Sequence, residues 1–89
     1  MSEFLWTEKD AVTIYVAADQ VSWAVTRLEM GRGSELFMVT VVDPRDGSRM
    51  KFPETWKRKD EAIQFCEMGE RRRLAGRFTV KELWQRMTY

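Results

Sequence analysis

The sequence contains no histidine, and Cys66 is its only cysteine. An internal disulfide needs two cysteines, and zinc sites and His-assisted nucleophilic catalysis need histidine or several cysteines. A calcium-binding D-x-D-x-D-G loop, a Walker A motif and a G-x-G-x-x-G motif are also missing. We therefore predict that the protein is not an enzyme and that it has no cofactor, no metal and no catalytic residue. Cys66 is expected to be a buried, inert thiol.

Long hydrophobic runs are missing as well. The longest, AVTIYVAA and LFMVTVV, fall far short of the roughly 20 residues that a membrane-spanning helix needs. The start MSEFLWTEKD lacks the basic flank of a signal peptide. A composition of 44% hydrophobic and 33% charged residues is typical of a folded chain and not of a disordered one. We expect one cytoplasmic domain over residues 1–89, with no membrane partner.

The C-terminal part shows the clearest local pattern. Thr79 and Glu82 have the spacing of a capping box, and Phe78 and Leu83 that of a hydrophobic staple. These signals predict a short helix over about 80–87.

A longer main helix is predicted over about 57–73, with Thr55 as a plausible cap. Its apolar stripe contains Ala62, Phe65, Cys66 and Gly69. Gly69 is a candidate helix terminator, and the alternative is that the helix continues through ERRRL and stops at Gly76.

The middle of the chain predicts an antiparallel hairpin. Residues 35–42 are rich in β-branched and aromatic side chains, DPRDGS is dense in turn formers, and residues 49–52 alternate polar with apolar. Pro53 is expected to end the second strand. Because the first strand alternates poorly, we expect it to be central and covered on both faces for much of its length.

Residues 7–30 fit three periodicities: two strands joined through Ala17 to Gln20, a strand followed by a helix that Gly31 would cap, or one long helix. The abundance of Val, Ile, Thr, Tyr and Trp favours the strands. The predicted class is α+β, a small antiparallel meander of three or four strands packed by the main helix and the short C-terminal helix. The alternative is a ferredoxin-like βαββαβ order, with a helix over 19–30 and a strand over 77–80.

Four tryptophans and six methionines are many for a small core, and both residue types are enriched at interfaces. This favours a regulatory adaptor that binds a protein partner. The candidate contact residues lie in or near the last helix and in the basic segment GERRRLAGRF: Trp84, Met87, Tyr89, Arg71, Arg72, Arg73 and Arg77. Phe4 and Trp6 are candidates for contact with a second copy, which would make the protein a homodimer.

Charge is unevenly distributed along the chain. Residues 1–44 carry three basic and seven acidic side chains, whereas the rest of the chain carries twelve basic and seven acidic ones. Such asymmetry suggests an anionic partner, so nucleic acid is the alternative partner. Its candidate contacts are Lys57, Arg58, Lys59, Arg49 and Lys51. The net charge of only +1 and the helix-end position of many basic residues favour solvated helix ends instead.

Overall fold

The computed structural model describes residues 4–88. Its five strands and two helices are β1 (Thr7–Lys9), β2 (Val12–Val16), β3 (Ser22–Glu29), β4 (Glu35–Asp43), β5 (Ser48–Trp56), α1 (Lys59–Gly76) and α2 (Val80–Thr88). All neighbouring strands are antiparallel, and their order in the sheet is their order in the chain. The predicted α+β class and the meander are thus confirmed. The sheet has five strands where three or four were expected.

Residues 7–30 are strands joined by tight turns. The hairpin through Ala17 to Gln20 is closed by hydrogen bonds from the Ala17 N–H to the Val21 carbonyl and from the Gln20 N–H to the Ala17 carbonyl. The additional strand β1 has only three residues, and the two-residue turn that joins it to β2 places Asp10 at φ 55°. The ferredoxin-like order would need a helix where β3 pairs with both of its neighbours.

Strand β5 corrects two predictions. Pro53 does not end it: the strand continues to Trp56, with a register shift in its pairing between Met38 and Thr40 of β4. Because β5 is at the edge of the sheet, the missing N–H of proline is tolerated there. Thr55 lies inside this strand and cannot cap α1, whose N-cap is Arg58 without a side-chain hydrogen bond.

Helix α1 runs past Gly69 and ends at Gly76, which confirms the longer of the two predicted alternatives. The close approach of the Trp23 ring explains the glycine, since a Cβ at position 69 would lie 2.7 Å from its Cη2 atom. The helix ends where Arg77 adopts a left-handed conformation at φ 53° and its N–H donates to the Leu74 carbonyl.

The capping box of α2 is confirmed in both directions. The Glu82 N–H donates to Thr79 Oγ1 at 3.1 Å, and the Thr79 N–H donates to Glu82 Oε1 at 3.0 Å. The hydrogen bond from the Thr79 N–H to the carboxylate is the main reason why the pKa of Glu82 is lowered. The helix then buries Val80 and Leu83.

Both helices pack on the same side of the sheet. The core joins strand residues such as Trp23, Val39 and Phe52 to Cys66 of α1 and Leu83 of α2. Strand β4 lies inside the sheet, between β3 and β5. The described elements cover only one of its faces, which corrects the expectation of cover on both. No helix among residues 4–88 is long and apolar enough to cross a membrane.

Candidate binding surface

We call the side of the sheet that faces away from α1 and α2 the open face. Strand register and the alternation of side chains define its members. They are Thr7, Lys9, Val12, Ile14, Val16, Ser22, Ala24, Thr26, Leu28, Leu36, Met38, Thr40, Val42, Arg49, Lys51 and Thr55.

Between its two edge strands, the open face carries several aliphatic side chains. Ile14 is 39% exposed and Val16 is 55% exposed, although both lie in a regular strand. On the same face, Met38 and Val42 of β4 are partly exposed, with Ser22, Ala24 and Thr26 of β3 between them and β2. A single exposed apolar residue is common on a protein surface, and several on one face of a sheet make that face a candidate interaction site.

The charged residues of the open face are all basic. Lys9 lies on β1, and Arg49 and Lys51 lie on β5, so the cations lie at opposite edges of the sheet with the aliphatic side chains between them. The acidic strand residues Glu8, Glu29, Glu35 and Asp43 belong to the other side by the same register, and alternation with Phe52 and Trp56 places Glu54 there as well. Arg49 and Lys51 are exposed and form no ion pair with any residue that the structure describes.

Aromatic side chains, unlike the unpaired cations, are absent from the strand residues of the open face. All the aromatic residues in the strands are on the helix side: Tyr15, Trp23, Phe37, Phe52 and Trp56. They pack against one another and against α1, as in the stacked pair of Trp23 and Phe52 and the contact of Trp56 with Phe65. The described residues of the open face thus offer no ring on which a nucleic-acid base could stack.

A buried ionic network lies on the helix side. Arg73 donates from Nε and Nη2 to the Glu70 carboxylate at 2.7 Å and from Nη1 to Asp19 Oδ2 at 2.9 Å. Trp23 Nε1 donates to Glu70 Oε1 at 3.0 Å. Burial opposes the charge of Arg73, but the hydrogen bonds to Glu70 and Asp19 outweigh it and raise the pKa of the guanidinium. The hydrogen bond from Arg73 in turn lowers the pKa of Asp19.

The four arginines of GERRRLAGRF do not form one surface. Arg73 is buried in this network, so its side chain is withdrawn from any partner. Arg71 lies over the Phe4 ring at 5.1 Å. Arg72 and Arg77 are exposed, Arg72 on the side of α1 that faces Glu82 of α2, and Arg77 at the end of α1.

The predicted aromatic and methionine contacts of α2 pack largely on their own chain. Trp84 is half-buried, and its indole N–H donates to the Lys51 carbonyl at 2.9 Å. Met87 is half-buried, and its Sδ and Cε lie close to Gly69 of α1. Tyr89 lies outside the described residues.

The N-terminal residues proposed to reach a second copy instead pack on their own sheet and helix. Phe4 is buried and meets Tyr15 edge-on at 4.9 Å between ring centroids. Trp6 donates its indole N–H to Glu67 Oε2 at 2.8 Å. This internal packing removes the observation that suggested a homodimer.

The remaining basic candidates are divided between two places. At the start of α1, Arg58 pairs with Asp60 at 2.9 Å, Lys59 pairs with Glu8 at 2.7 Å, and Lys57 is exposed. Arg49 and Lys51 share the open face. Sequence reasoning found these two cations but did not find the apolar residues beside them.

The groups with catalytic potential have structural roles. Cys66 is fully buried, and burial raises the pKa of its thiol. Glu67 and Glu70 accept the hydrogen bonds of Trp6 and Trp23. Among residues 4–88, no cluster of three His, Cys, Asp or Glu side chains is placed to hold a metal ion.

A small cavity of about 200 Å³ lies at the β1–β2 end of the sheet, on the helix side. Its walls include Glu8, Thr13, Arg27 and Lys59, and the Glu8–Lys59 ion pair neutralises part of its charge. The hydrogen bond from Lys59 is the main reason why the pKa of Glu8 is lowered.

No protein-family model, no curated protein and no solved structure matches this chain. Its function is therefore inferred from the surface alone.

Proposed function

We propose that this protein is a non-enzymatic binding module that acts through protein–protein interaction, and that the open face of its sheet is the contact surface. The observation that supports this most directly is the exposure of the aliphatic side chains of Ile14 and Val16 on the sheet strand β2. Complete burial of a side chain of this size is worth about 1.5–3 kcal/mol. Within this chain, Ile14 and Val16 gain only part of that energy.

The internal use of the chemically reactive groups supports a function without catalysis. A thiol acts as a nucleophile in its thiolate form, which the raised pKa of Cys66 disfavours. Glu67 and Glu70 accept hydrogen bonds from the indole N–H groups of Trp6 and Trp23, and Glu70 also accepts from Arg73, so both carboxylates have structural partners within the chain.

The test is selection of ligands from a phage-displayed random peptide library. The wild-type protein is one bait, and the second bait carries Ile14→Thr and Val16→Thr, which keep β-branched shapes but remove two apolar groups from the open face. A matched control carries Leu74→Gln, which removes an exposed apolar residue from α1.

We expect peptides that bind the wild type and the control, and that bind the double variant about tenfold or more weakly, because two partly exposed apolar contacts are lost. Peptides that bind all three proteins equally would refute the open face as the contact surface. Circular dichroism of each bait checks that it is folded.

Nucleic-acid binding is a second candidate, favoured by the exclusively basic charge of the open face. Its test is fluorescence anisotropy of labelled duplex DNA and single-stranded RNA at low and physiological salt, with Arg49→Gln/Lys51→Gln as the variant. Phosphate contacts would give binding that falls steeply with salt and a smaller salt slope in the variant. Salt-independent or absent binding would exclude this candidate.

A further inference from the structure

We infer that the partner of the open face is an acidic, amphipathic protein segment, with apolar side chains that cover the centre of the sheet and carboxylates that meet Lys9 on one edge and Arg49 and Lys51 on the other. This inference rests on the proposed function and adds the chemistry of the partner.

The charge distribution of the sheet supports this choice. The helix side contains two charged groups with internal partners: Arg45 contacts both oxygens of Asp43, and Arg73 contacts Glu70 and Asp19. On the open face, Arg49 and Lys51 have no ion-pair partner among the described residues. A partner with carboxylates would supply the missing charge, and complementary charge fixes the register of docking.

The geometry also requires apolar groups in the partner. Ile14 and Ala24 lie opposite each other on β2 and β3, in the same row as Thr40 and Lys51. Two residues further along β2, the next row consists of Val16, Ser22, Val42 and Arg49. It also begins with an aliphatic side chain and ends with a cation. Each row thus runs from an exposed aliphatic side chain to a cation, so a complementary segment needs an apolar stripe beside an acidic one.

A second copy of the chain does not fit this face as well. Packing two open faces together would bring cations against cations or against apolar groups, because the described strand residues of this face include no carboxylate. Like charges placed opposite one another in an interface disfavour association. Nucleic acid would satisfy the cations but would cover Ile14 and Val16 with a charged backbone, and it would find no aromatic ring for stacking.

The experiment repeats the peptide selection with two further baits. In one, Arg49→Gln/Lys51→Gln removes the β5 cations of the open face. In the matched control, Arg72→Gln/Lys81→Gln removes two exposed cations of the helices. Pools retained by each bait are sequenced, and single peptides are titrated at low and high salt. Sedimentation equilibrium and the DNA and RNA titrations are run on the same proteins.

We expect peptides that depend on Ile14 and Val16 to be enriched in Asp and Glu beside apolar residues. Their Kd should rise about tenfold at low salt in the Arg49/Lys51 variant, less at high salt, and remain unchanged in the control, since exposed ion pairs are individually weak and screened.

Several results would overturn the inference. Peptides that need Ile14 and Val16 but lack acidic residues would leave the proposed function intact and refute the acidic partner. Peptides with no dependence on the open face would refute both. A dimer that dissociates on Ile14→Thr/Val16→Thr would assign the face to a second copy, and salt-dependent nucleic-acid binding lost in Arg49→Gln/Lys51→Gln would assign it to nucleic acid.

Discussion

Two arginines show how differently one residue type is used in two regions of this molecule. Arg73 of α1 lies between the helix and the sheet, and Arg49 of β5 lies on the open face. Arg73 is buried, and two carboxylates and the Trp23 indole complete its network. Arg49 is exposed, beside apolar side chains, without an ion-pair partner among residues 4–88. The guanidinium on the helix side is therefore paired within the chain, whereas the guanidinium on the open face remains available to a partner.

The aliphatic residues repeat this contrast. Val39 is completely buried beneath the helices, whereas Val16 is 55% exposed. Successive side chains of a strand point to opposite faces, so one short sequence supplies both environments. The stability of the fold should depend on the helix side, and binding should depend on the open face.

The largest expected effect breaks the buried network. Arg73→Ala leaves the fully buried Glu70 carboxylate with only the Trp23 indole as a described side-chain partner, and we expect a loss of about 3–5 kcal/mol in the free energy of unfolding. Arg72→Ala, its exposed neighbour, should change stability by less than about 0.5 kcal/mol. Urea unfolding of both variants measures the difference, and equal effects would contradict the structural role of Arg73.

A smaller effect compares one substitution on the two faces. Val39→Thr places a hydroxyl in the apolar core and should cost about 1–3 kcal/mol. Val16→Thr places the same group in solvent and should cost less than about 0.5 kcal/mol. Thermal and urea unfolding provide the comparison. A large loss from Val16→Thr would mean that the open face is covered within the chain.

The smallest effect concerns pH. The pKa of Asp19 is lowered in the folded protein, mainly by the hydrogen bond from Arg73. The Asp19 carboxylate therefore stabilises the fold at pH values above 3.8, the ordinary pKa of an aspartate. This contribution is lost as the pH falls through the lowered folded pKa. We expect Asp19→Asn to be less stable than wild type at pH 7 and the gap to narrow in acid.

Urea unfolding of the wild type and of Asp19→Asn at several pH values between neutral and acidic measures the difference in their free energies of unfolding. Asp46→Asn is the control, since Asp46 is exposed and its side chain accepts only a local N–H from Ser48. A gap between wild type and Asp19→Asn that stays constant into acid would contradict the assigned role of Asp19.

Local features of this fold were predictable because their causes are local. The capping box of α2 depends on residues three positions apart, and the β2–β3 hairpin follows from alternation on either side of a turn. Strand β1 was missed because three residues carry too little pattern to distinguish a strand from a loop.

Features that depend on distant residues were not predictable in the same way. Gly69 has the sequence signature of a helix end, but it lies inside α1 beneath the ring of Trp23. The burial of Arg73 requires Asp19, which comes from the turn between β2 and β3. The open face also escaped prediction, because the pattern of β4 identifies two apolar faces but not which of them the helices cover.

The exposed edge of β5 has a consequence for how copies of this protein behave at high concentration. Pro53 has no N–H to offer, and the Lys51 carbonyl already accepts the indole N–H of Trp84. A strand from another molecule would therefore meet two interruptions along this edge, which disfavours continuous sheets and fibrils that grow strand by strand. Pairing of two copies through their β5 edges is thereby disfavoured.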